Sequence, residues 1–384
     1  MSDRLYNKRI LSITAAGFPK IRFEVPHDVF STERIDEGTL LLLANLPARA
    51  PRSVLDLGCG YGALGLPIAA RYSEASCHLV DRDLLAVAAA RANAEAARLS
   101  TVQVYPSLGY REVETRARSF DWIVCNVPAR IGSRAIAHFL KSGSQLLSPD
   151  GEMRVVVLHA LAADIEGAGA GAVRVAEGTR HFVYSISPSA VAASFDSTFA
   201  DLYTRDRVTI PVGGDRTLTL ERPSDLADDP QRISIYLPLL LETLPTRAPG
   251  SVLSFRCGYG LAALATKARF AKARVVATDR DLISIEYARR NASALSLPLD
   301  LRAAIWPSGA AGDDRFDLVL GELDPSTGDA VALAELGEAR DLLLPRGQAL
   351  VVAHERLWRR IQPKMSAAIS LITRRSYVLL RLAK

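Results

Sequence analysis

The chain has 384 residues, of which 49% are hydrophobic and 23% charged, and its formal net charge is +5. This composition is typical of soluble globular proteins with about two domains and excludes a largely disordered chain. The four cysteines form no CxxC pair and no Cys/His cluster with metal spacing, so we expect buried thiols in a reducing compartment and no metal site.

The first ten residues are polar and charged, and no apolar run approaches the roughly 20 residues that span a bilayer. We therefore expect a cytoplasmic protein that makes no membrane contact. The mildly basic charge is compatible with a nucleic-acid partner but does not identify one.

Strands and helices alternate along the first half of the chain. Residues 11–25 are predicted to form a small hairpin, and Asp83 is predicted to cap a helix over residues 84–99. Short apolar runs predict buried strands at residues 52–58, 77–83, 120–128 and 151–160. This alternation predicts an α/β fold with a mostly parallel sheet and helices on both faces.

The second half of the chain repeats the first. Ordered matches link residues 5–26 with 202–223, 40–55 with 238–253, 59–62 with 257–260, 81–94 with 279–292, and 120–132 with 316–328. A period this long indicates two copies of one domain and not a solenoid. We expect domains at residues 1–190 and 200–384, each opened by a hairpin, with a boundary near residues 186–201.

A ligand site is predicted where the first copy's strands end. The first strand runs into DLGCGYG at residues 56–62, and Asp81 closes the next strand. Glycines allow a sharp turn and close approach to a ligand, and a carboxylate can accept ribose hydroxyls. Gly60-Tyr-Gly62-Ala-Leu-Gly65 also spells the dinucleotide motif GxGxxG, which alone is weak. Asp56, which could meet a cationic amino group, and the strand end Asn126-Val127-Pro128 argue against a nicotinamide enzyme.

These motifs resemble those of class I S-adenosylmethionine-dependent methyltransferases of the methyltransferase small domain type. DLGCGYG resembles their first motif, VDRD resembles their ribose-binding motif, and residues 25–46 resemble their lead-in segment. The resemblance covers about residues 20–186 and, more weakly, 215–384. It implies a seven-stranded Rossmann-like domain, S-adenosylmethionine as cofactor, and an RNA guanine N2 as target, as in tandem ribosomal RNA enzymes.

The resemblance also implies cofactor contacts in the first copy. Asp56, Gly58 and Gly60 would line the methionine end. Gly38 and Thr39 would lie near the cofactor carboxylate. The ribose and adenine would be contacted by Asp81, Arg82, Ser107 and Leu108, although Leu108 replaces an expected polar residue.

The methyl-transfer loop would be Asn126, Val127 and Pro128, whose amide and carbonyl oxygens accept the two protons of the target amine. The family's stacking aromatic is absent, because Ala129 stands in its place. Phe30 could supply an aromatic face instead, unless it belongs to the core, and Arg130 could stack on a base or hold a phosphate.

The second copy has different residues at the positions aligned with the first copy's predicted site. Ser254 replaces Asp56, Arg256 replaces Gly58, Glu322 replaces Asn126 and Asp324 replaces Pro128, while Asp279 is retained. We infer that this copy has lost its cofactor site and serves packing or RNA docking.

The alternatives to a monomeric enzyme acting on ribosomal RNA are a methyltransferase for a small molecule or protein, and a non-catalytic RNA-binding protein.

Overall fold

The computed structural model describes residues 7–13, 17–117, 119–189, 199–213, 215–226, 232–323, 327–365 and 370–384. Residues 7–203 form one compact unit and residues 204–384 another. The predicted linker lies mostly outside the described residues, and the contacts divide the chain after Tyr203.

The described residues of the first unit form nine strands: β1 (Asn7–Ile13), β2 (Ile21–Pro26), β3 (Ser53–Leu57), β4 (Ser76–Asp81), β5 (Val102–Pro106), β6 (Phe120–Asn126), β7 (Leu147–Leu158), β8 (Val173–Glu177) and β9 (His181–Ile186). Its helices are α1 (Glu37–Ala44), α2 (Gly65–Arg71), α3 (Leu84–Ala96), α4 (Ser133–Gln145), α5 (Ala162–Glu166) and α6 (Phe199–Tyr203), with a 3-10 turn at His159–Leu161.

The second unit repeats the pattern with the strands β10 (Thr204–Gly213), β11 (Arg216–Pro223), β12 (Ser251–Phe255), β13 (Arg274–Asp279), β14 (Asp300–Ala303), β15 (Phe316–Leu323), β16 (Leu343–His354), β17 (Ser370–Arg374) and β18 (Tyr377–Ala383). Its helices are α7 (Leu237–Thr243), α8 (Leu261–Arg269), α9 (Leu282–Ala294), α10 (Pro307–Ala311), α11 (Asp329–Asp341) and α12 (Glu355–Ile361), with a π turn at Arg232–Tyr236 and a 3-10 turn at Gln362–Lys364.

Each unit carries a seven-stranded sheet with the same topology. The strand orders are β5-β4-β3-β6-β7-β9-β8 and β14-β13-β12-β15-β16-β18-β17. Within the two sheets, β9 and β18 run antiparallel to the strands on either side of them, and the remaining strands run parallel to one another. The two-stranded hairpins β1-β2 and β10-β11 precede the sheets, which confirms the predicted tandem fold.

Helices cover both faces of the first sheet. Val156 of β7 joins a core cluster that includes Leu42 of α1 and the hairpin residue Phe23. Met153, three residues earlier and hence on the opposite face, lies against α4, where a Cβ added at Gly143 would come within 2.7 Å of its sulfur.

The helix predicted over residues 84–99 ends at Ala96. Asp83 caps it as predicted, accepting from the Leu85 amide at 2.9 Å. The last turn stops earlier because Arg98 adopts a left-handed conformation with a φ of 55°.

The prediction of buried thiols is confirmed. All four cysteines are buried and free. In the part of the chain that the structure describes, no helix is long and apolar enough to cross a membrane, and no group of three metal-ligating side chains occurs.

Candidate functional site

The loop between β3 and α2 presents bare backbone. Gly58, Gly60 and Gly62 all have positive φ, at 76°, 56° and 95°. A Cβ added at Gly58 or Gly60 would meet nothing within 4 Å, whereas one at Gly62 would lie 2.6 Å from Leu66. Gly62 is therefore needed for packing, while Gly58 and Gly60 border open space that a ligand can enter.

The same loop is fixed to the neighbouring strand. The amides of Gly58 and Cys59 both donate to the carbonyl of Val80, each at 2.9 Å. The Gly60 amide donates to Asp81 Oδ2 at 2.9 Å. The bare backbone is thus held in place before any ligand binds.

Asp56 lies beneath this loop. Its side chain is 1% exposed, and its Oδ2 accepts from the Gly65 amide at 2.8 Å. Burial raises the pKa of Asp56 to about 7, against the lowering effect of the Gly65 hydrogen bond. Asp56 therefore supports the start of α2, and its contact with the methionine end stays a prediction.

Asp81 closes β4 next to the loop. Its Oδ1 accepts from the Asp83 amide at 2.9 Å, so each carboxylate oxygen already holds one backbone hydrogen bond. Burial raises the pKa of Asp81, and the Asp83 and Gly60 amides and the charge of Arg82 oppose that shift. An ionised carboxylate has about four acceptor sites, which leaves capacity for two hydroxyls.

The residues predicted to contact adenine are largely engaged already. The Ser107 hydroxyl donates to the Gly109 carbonyl at 2.7 Å, and the Leu108 amide donates to Glu112 Oε2 at 3.0 Å. Both Ser107 and Leu108 are 2% exposed. Glu112, which the sequence analysis did not single out, supplies a carboxylate at the point where Leu108 lacks a polar group.

Asn126 ends β6 and is bound to the start of α1. Its Nδ2 donates to Asp36 Oδ2 at 2.9 Å and lies 3.3 Å from Thr39 Oγ1. Asp36 Oδ2 also accepts from the Thr39 amide at 3.1 Å and so caps α1. Sequence analysis missed Asp36, although a carboxylate just before a helix is a recognisable capping signal.

Gly38 and Thr39 lie in this same network. A Cβ added at Gly38 would come within 2.9 Å of Asp36 Oδ2 and 3.0 Å of His181 Cδ2, so a side chain there would disturb both. His181, at the start of β9, is a further residue of the site that sequence analysis missed. It is 8% exposed, and no local motif marks it.

The loop after Asn126 turns outward. The Val127 amide donates to the Val156 carbonyl at 3.0 Å, which fixes the first peptide of the loop. Pro128, Ala129 and Arg130 are exposed, and the loop returns to the core at Ile131. Among the described residues Arg130 has no ion pair.

Phe30 lies in the segment between β2 and α1. Its side chain is 70% exposed, so it is not a core residue. The turn around it is defined by Ser31, which has a φ of 60° and whose hydroxyl donates to the Arg34 carbonyl at 2.6 Å.

The second copy keeps the geometry of the acidic residue and the positive φ angles of the loop, at Arg256, Gly258 and Gly260, but carries a long side chain in that loop. Asp279 accepts from the amides of Gly258 and Asp281 at 2.9 and 3.0 Å. Arg256 adopts a φ of 48°, and its Nε donates to the buried Glu335 carboxylate at 2.9 Å. A long side chain thus occupies the place where the first copy presents glycine backbone.

The other substitutions also fill or change the second copy's site. Ser254 stands buried in place of Asp56, and Glu322 in place of Asn126. The alignment puts Tyr236 and Leu237, which are 2% and 1% exposed, where the first copy has Gly38 and Thr39. Asp324 lies outside the described residues.

The sequence matches the methyltransferase small domain family over residues 20–183 and 234–374. It is 38% identical over 162 residues to a ribosomal RNA small subunit methyltransferase C of Hahella chejuensis, covering 41% of this chain and 46% of that protein. It is 31% identical over 170 residues to a ribosomal RNA large subunit methyltransferase G of Shewanella amazonensis, covering 38% and 44%. The matches thus span less than half the length of these curated relatives.

A solved structure has the same two-unit fold. The T. thermophilus 16S rRNA N2 methyltransferase, determined with AdoMet and guanosine, matches with a TM-score of 0.73 over 100% of both chains. The sequences are 20% identical, so this likeness concerns the fold. The family resemblance and the tandem Rossmann-like fold predicted from the sequence are confirmed.

Proposed function

Because the chain belongs to the methyltransferase small domain family, we propose that it is an S-adenosylmethionine-dependent methyltransferase acting on a guanine N2 of ribosomal RNA. The observation that carries the proposal is that the first copy alone combines three features: bare glycine backbone, the Asp81 carboxylate and the Asn126 amide. The names of the two ribosomal RNA relatives support the choice of substrate.

The residues of the first copy fit the proposed cofactor. Open space beside Gly58 and Gly60 admits the amino-acid end, and the remaining acceptor sites of Asp81 suit ribose hydroxyls. Arg82 and Glu112 would border adenine, and Gly38 and Thr39 would lie near the cofactor carboxylate. When bound, the cofactor would supply an electrophilic methyl group on a sulfonium.

Asn126 and Val127 would orient the acceptor. The lone pair of a guanine N2 is delocalised into the ring, which makes the amine a poor nucleophile. If Asn126 Oδ1 and the Val127 carbonyl each accept one N–H, the lone pair is directed along the line of transfer. Pro128 restricts the chain at the next position, and the hydrogen bond from the Val127 amide to the Val156 carbonyl fixes the peptide that precedes the Val127 carbonyl.

Phe30 would replace the missing stacking aromatic. An exposed phenyl ring offers a face to any unstacked base, and such stacking contributes about 1–3 kcal/mol per base. Exposed Arg130, on the loop that follows Asn126, would hold a phosphate of the same strand. The target guanine must leave its stack to reach this pocket.

The second copy would serve packing or RNA docking. Arg256 and Tyr236 occupy the positions at which the first copy keeps glycine, so we assign it no cofactor.

Calorimetric titration with S-adenosylmethionine tests the assignment of the site. We expect one site per chain, lost in Asp81→Ala and kept in Asp279→Ala. The second variant is a matched control because Asp279 makes the same two hydrogen bonds. Loss in Asp279→Ala instead would mean that the wrong copy was assigned, and no binding at all would favour a non-catalytic RNA-binding protein.

Transfer of a labelled methyl group to unmodified ribosomal RNA tests the substrate. Digestion to nucleosides should yield N2-methylguanosine. A protein that binds the cofactor but labels no RNA would instead belong with methyltransferases of small molecules or proteins.

A further inference from the structure

The side-chain amide of Asn126 has one orientation open to it. Its Nδ2 lies 2.9 Å from Asp36 Oδ2. A carboxylate only accepts hydrogen bonds, so a reversed amide would bring two oxygens together. The contact therefore fixes Nδ2 towards Asp36 and leaves Oδ1 to face away from it.

Asp36 is itself held by the helix that it caps. The oxygen that accepts from Asn126 also accepts from the Thr39 amide at 3.1 Å, and Thr39 Oγ1 lies 3.3 Å from the same Nδ2. The start of α1 and the end of β6, 90 residues apart in sequence, are thereby joined through a single oxygen. Thr39 is 5% exposed, which limits competition by water.

The duplication shows that these three residues change together. Aligned positions in the second copy hold Ser234 for Asp36, Leu237 for Thr39 and Glu322 for Asn126. A carboxylate serving only as a helix cap could have been kept there, as Asp281 is kept at the start of α9. In the second copy the carboxylate at this position is gone together with the amide that it contacts.

We infer that Asp36 is a positioning residue for methyl transfer, which it serves by forcing the Asn126 carbonyl oxygen towards the acceptor amine. This inference rests on the proposed function. Asp36 need not touch substrate or cofactor, and its effect passes through Asn126. Removing it should slow turnover with little change in cofactor affinity.

Two substitutions separate this role from helix capping. Asp36→Ser keeps a good capping group but is too short to reach Asn126, and serine is the residue that the second copy carries. Asp36→Asn keeps an oxygen that can accept from both Thr39 and Asn126. Asp281→Ser makes the same change at the equivalent type of cap on α9 and is the matched control.

We expect Asp36→Ser to lower kcat on ribosomal RNA at least ten-fold, while the cofactor Kd and the Tm stay near those of the parent protein. Asp36→Asn should recover activity to within about three-fold, and Asp281→Ser should change nothing. In the double variant with Asn126→Ala, Asp36→Ser should add no further loss. A multiplicative loss there, or an equal loss of cofactor binding, would overturn the inference.

A measurement without turnover keeps the inference separate from the substrate proposal. In protein labelled with ¹⁵N on asparagine, the side-chain amide signal of Asn126 can be assigned by its disappearance in Asn126→Ala. Its hydrogens should exchange slowly with solvent, and Asp36→Ser but not Asp281→Ser should accelerate that exchange. If the parent protein methylates no RNA, only the substrate proposal fails. If the Asn126 amide hydrogens exchange at the same rate in Asp36→Ser as in the parent protein, the positioning role of Asp36 is rejected.

Discussion

Arg256 and Glu335 form an ion pair in the second copy at the position where the first copy has bare backbone. The Arg256 Nε–Glu335 Oε1 distance is 2.9 Å, and the glutamate side chain is 2% exposed. The aligned positions in the first copy are Gly58 and Phe139, neither of which is charged. The replacement of Gly58 by arginine thus came with a new contact to a buried carboxylate.

We predict that Arg256→Gly destabilises the protein although it removes a residue with positive φ. Relief of that strain is worth roughly 1 kcal/mol. Leaving the Glu335 carboxylate buried without the arginine costs about 3–5 kcal/mol for a fully buried pair, and less here because Arg256 is partly exposed.

Urea unfolding measures the free energy of unfolding of Arg256→Gly, Glu335→Phe and the double variant. The double variant copies the first domain and should recover most of the loss. Equal stability of Arg256→Gly and the parent protein would show that losing the ion pair costs no more than the relief of backbone strain returns.

Phe30→Ala should weaken RNA binding without changing protein stability. The ring is 70% exposed, so its removal leaves no cavity. A lost stacking contact of about 1–3 kcal/mol corresponds to a rise in the RNA KM of roughly 5- to 150-fold. Steady-state kinetics and thermal unfolding on the same preparation measure both quantities.

Ile10→Ala is the control, because Ile10 is an apolar side chain of the neighbouring hairpin that is 53% exposed. A similar KM effect from Ile10→Ala would mean that general surface contact, and not stacking at Phe30, was measured.

Asp56 should make stability fall as the pH rises. Burial raises its pKa in the folded state from 3.8 to about 7, so between these values the folded protein holds a proton that the unfolded chain releases. The folded state therefore loses relative stability as the pH rises from about 4 to about 7, by about 1.4 kcal/mol for each unit of pKa difference.

Asp56→Asn removes this titration while keeping an oxygen that can accept from the Gly65 amide. The free energies of unfolding at pH 5 and pH 8 should therefore differ less in Asp56→Asn than in the parent protein. Ser254→Ala, at the aligned position of the second copy, should leave the pH dependence as it is. An unchanged difference in Asp56→Asn would place the pH dependence elsewhere.

Features that depend on backbone conformation could be predicted from the sequence. Glycine at positions 58 and 60 allows the sharp turn that both residues make with positive φ, and the short apolar runs indicate the strands. Asn126 could be predicted as the end of a strand, but its partner could not. Asp36 precedes it by 90 residues, and only the packing of α1 against the sheet brings the two together.

Burial and local hydrogen bonds at the site could not be predicted from the sequence. Asp56 was expected to line the methionine end, and its burial beneath the start of α2 is a property of the packed fold. Leu108 was expected to lie at adenine without the usual polar side chain, and the structure adds that its amide is bound by Glu112, four residues later in an irregular segment.

Two neighbouring core positions carry side chains of different size in the two sheets. In the second copy, Phe255 of β12 packs directly on the backbone of Gly321 in β15, in the space where a Cβ would lie. The aligned pair in the first copy is Leu57 and Cys125, which are 3% and 1% exposed. In the second copy, the larger side chain of Phe255 in β12 is therefore accommodated by the absence of a side chain at Gly321 in β15.

Gly321→Cys should therefore destabilise the protein by about 1–3 kcal/mol, the usual effect of overpacking a core. Adding Phe255→Leu recreates the first copy's pair and should return most of that stability, whereas Phe255→Leu alone leaves a cavity and should itself be destabilising. Urea unfolding of the three variants gives the coupling free energy between the positions. Additive effects would mean that the ring and the glycine do not share one space, because residues in direct contact cannot be replaced independently in a close-packed interior.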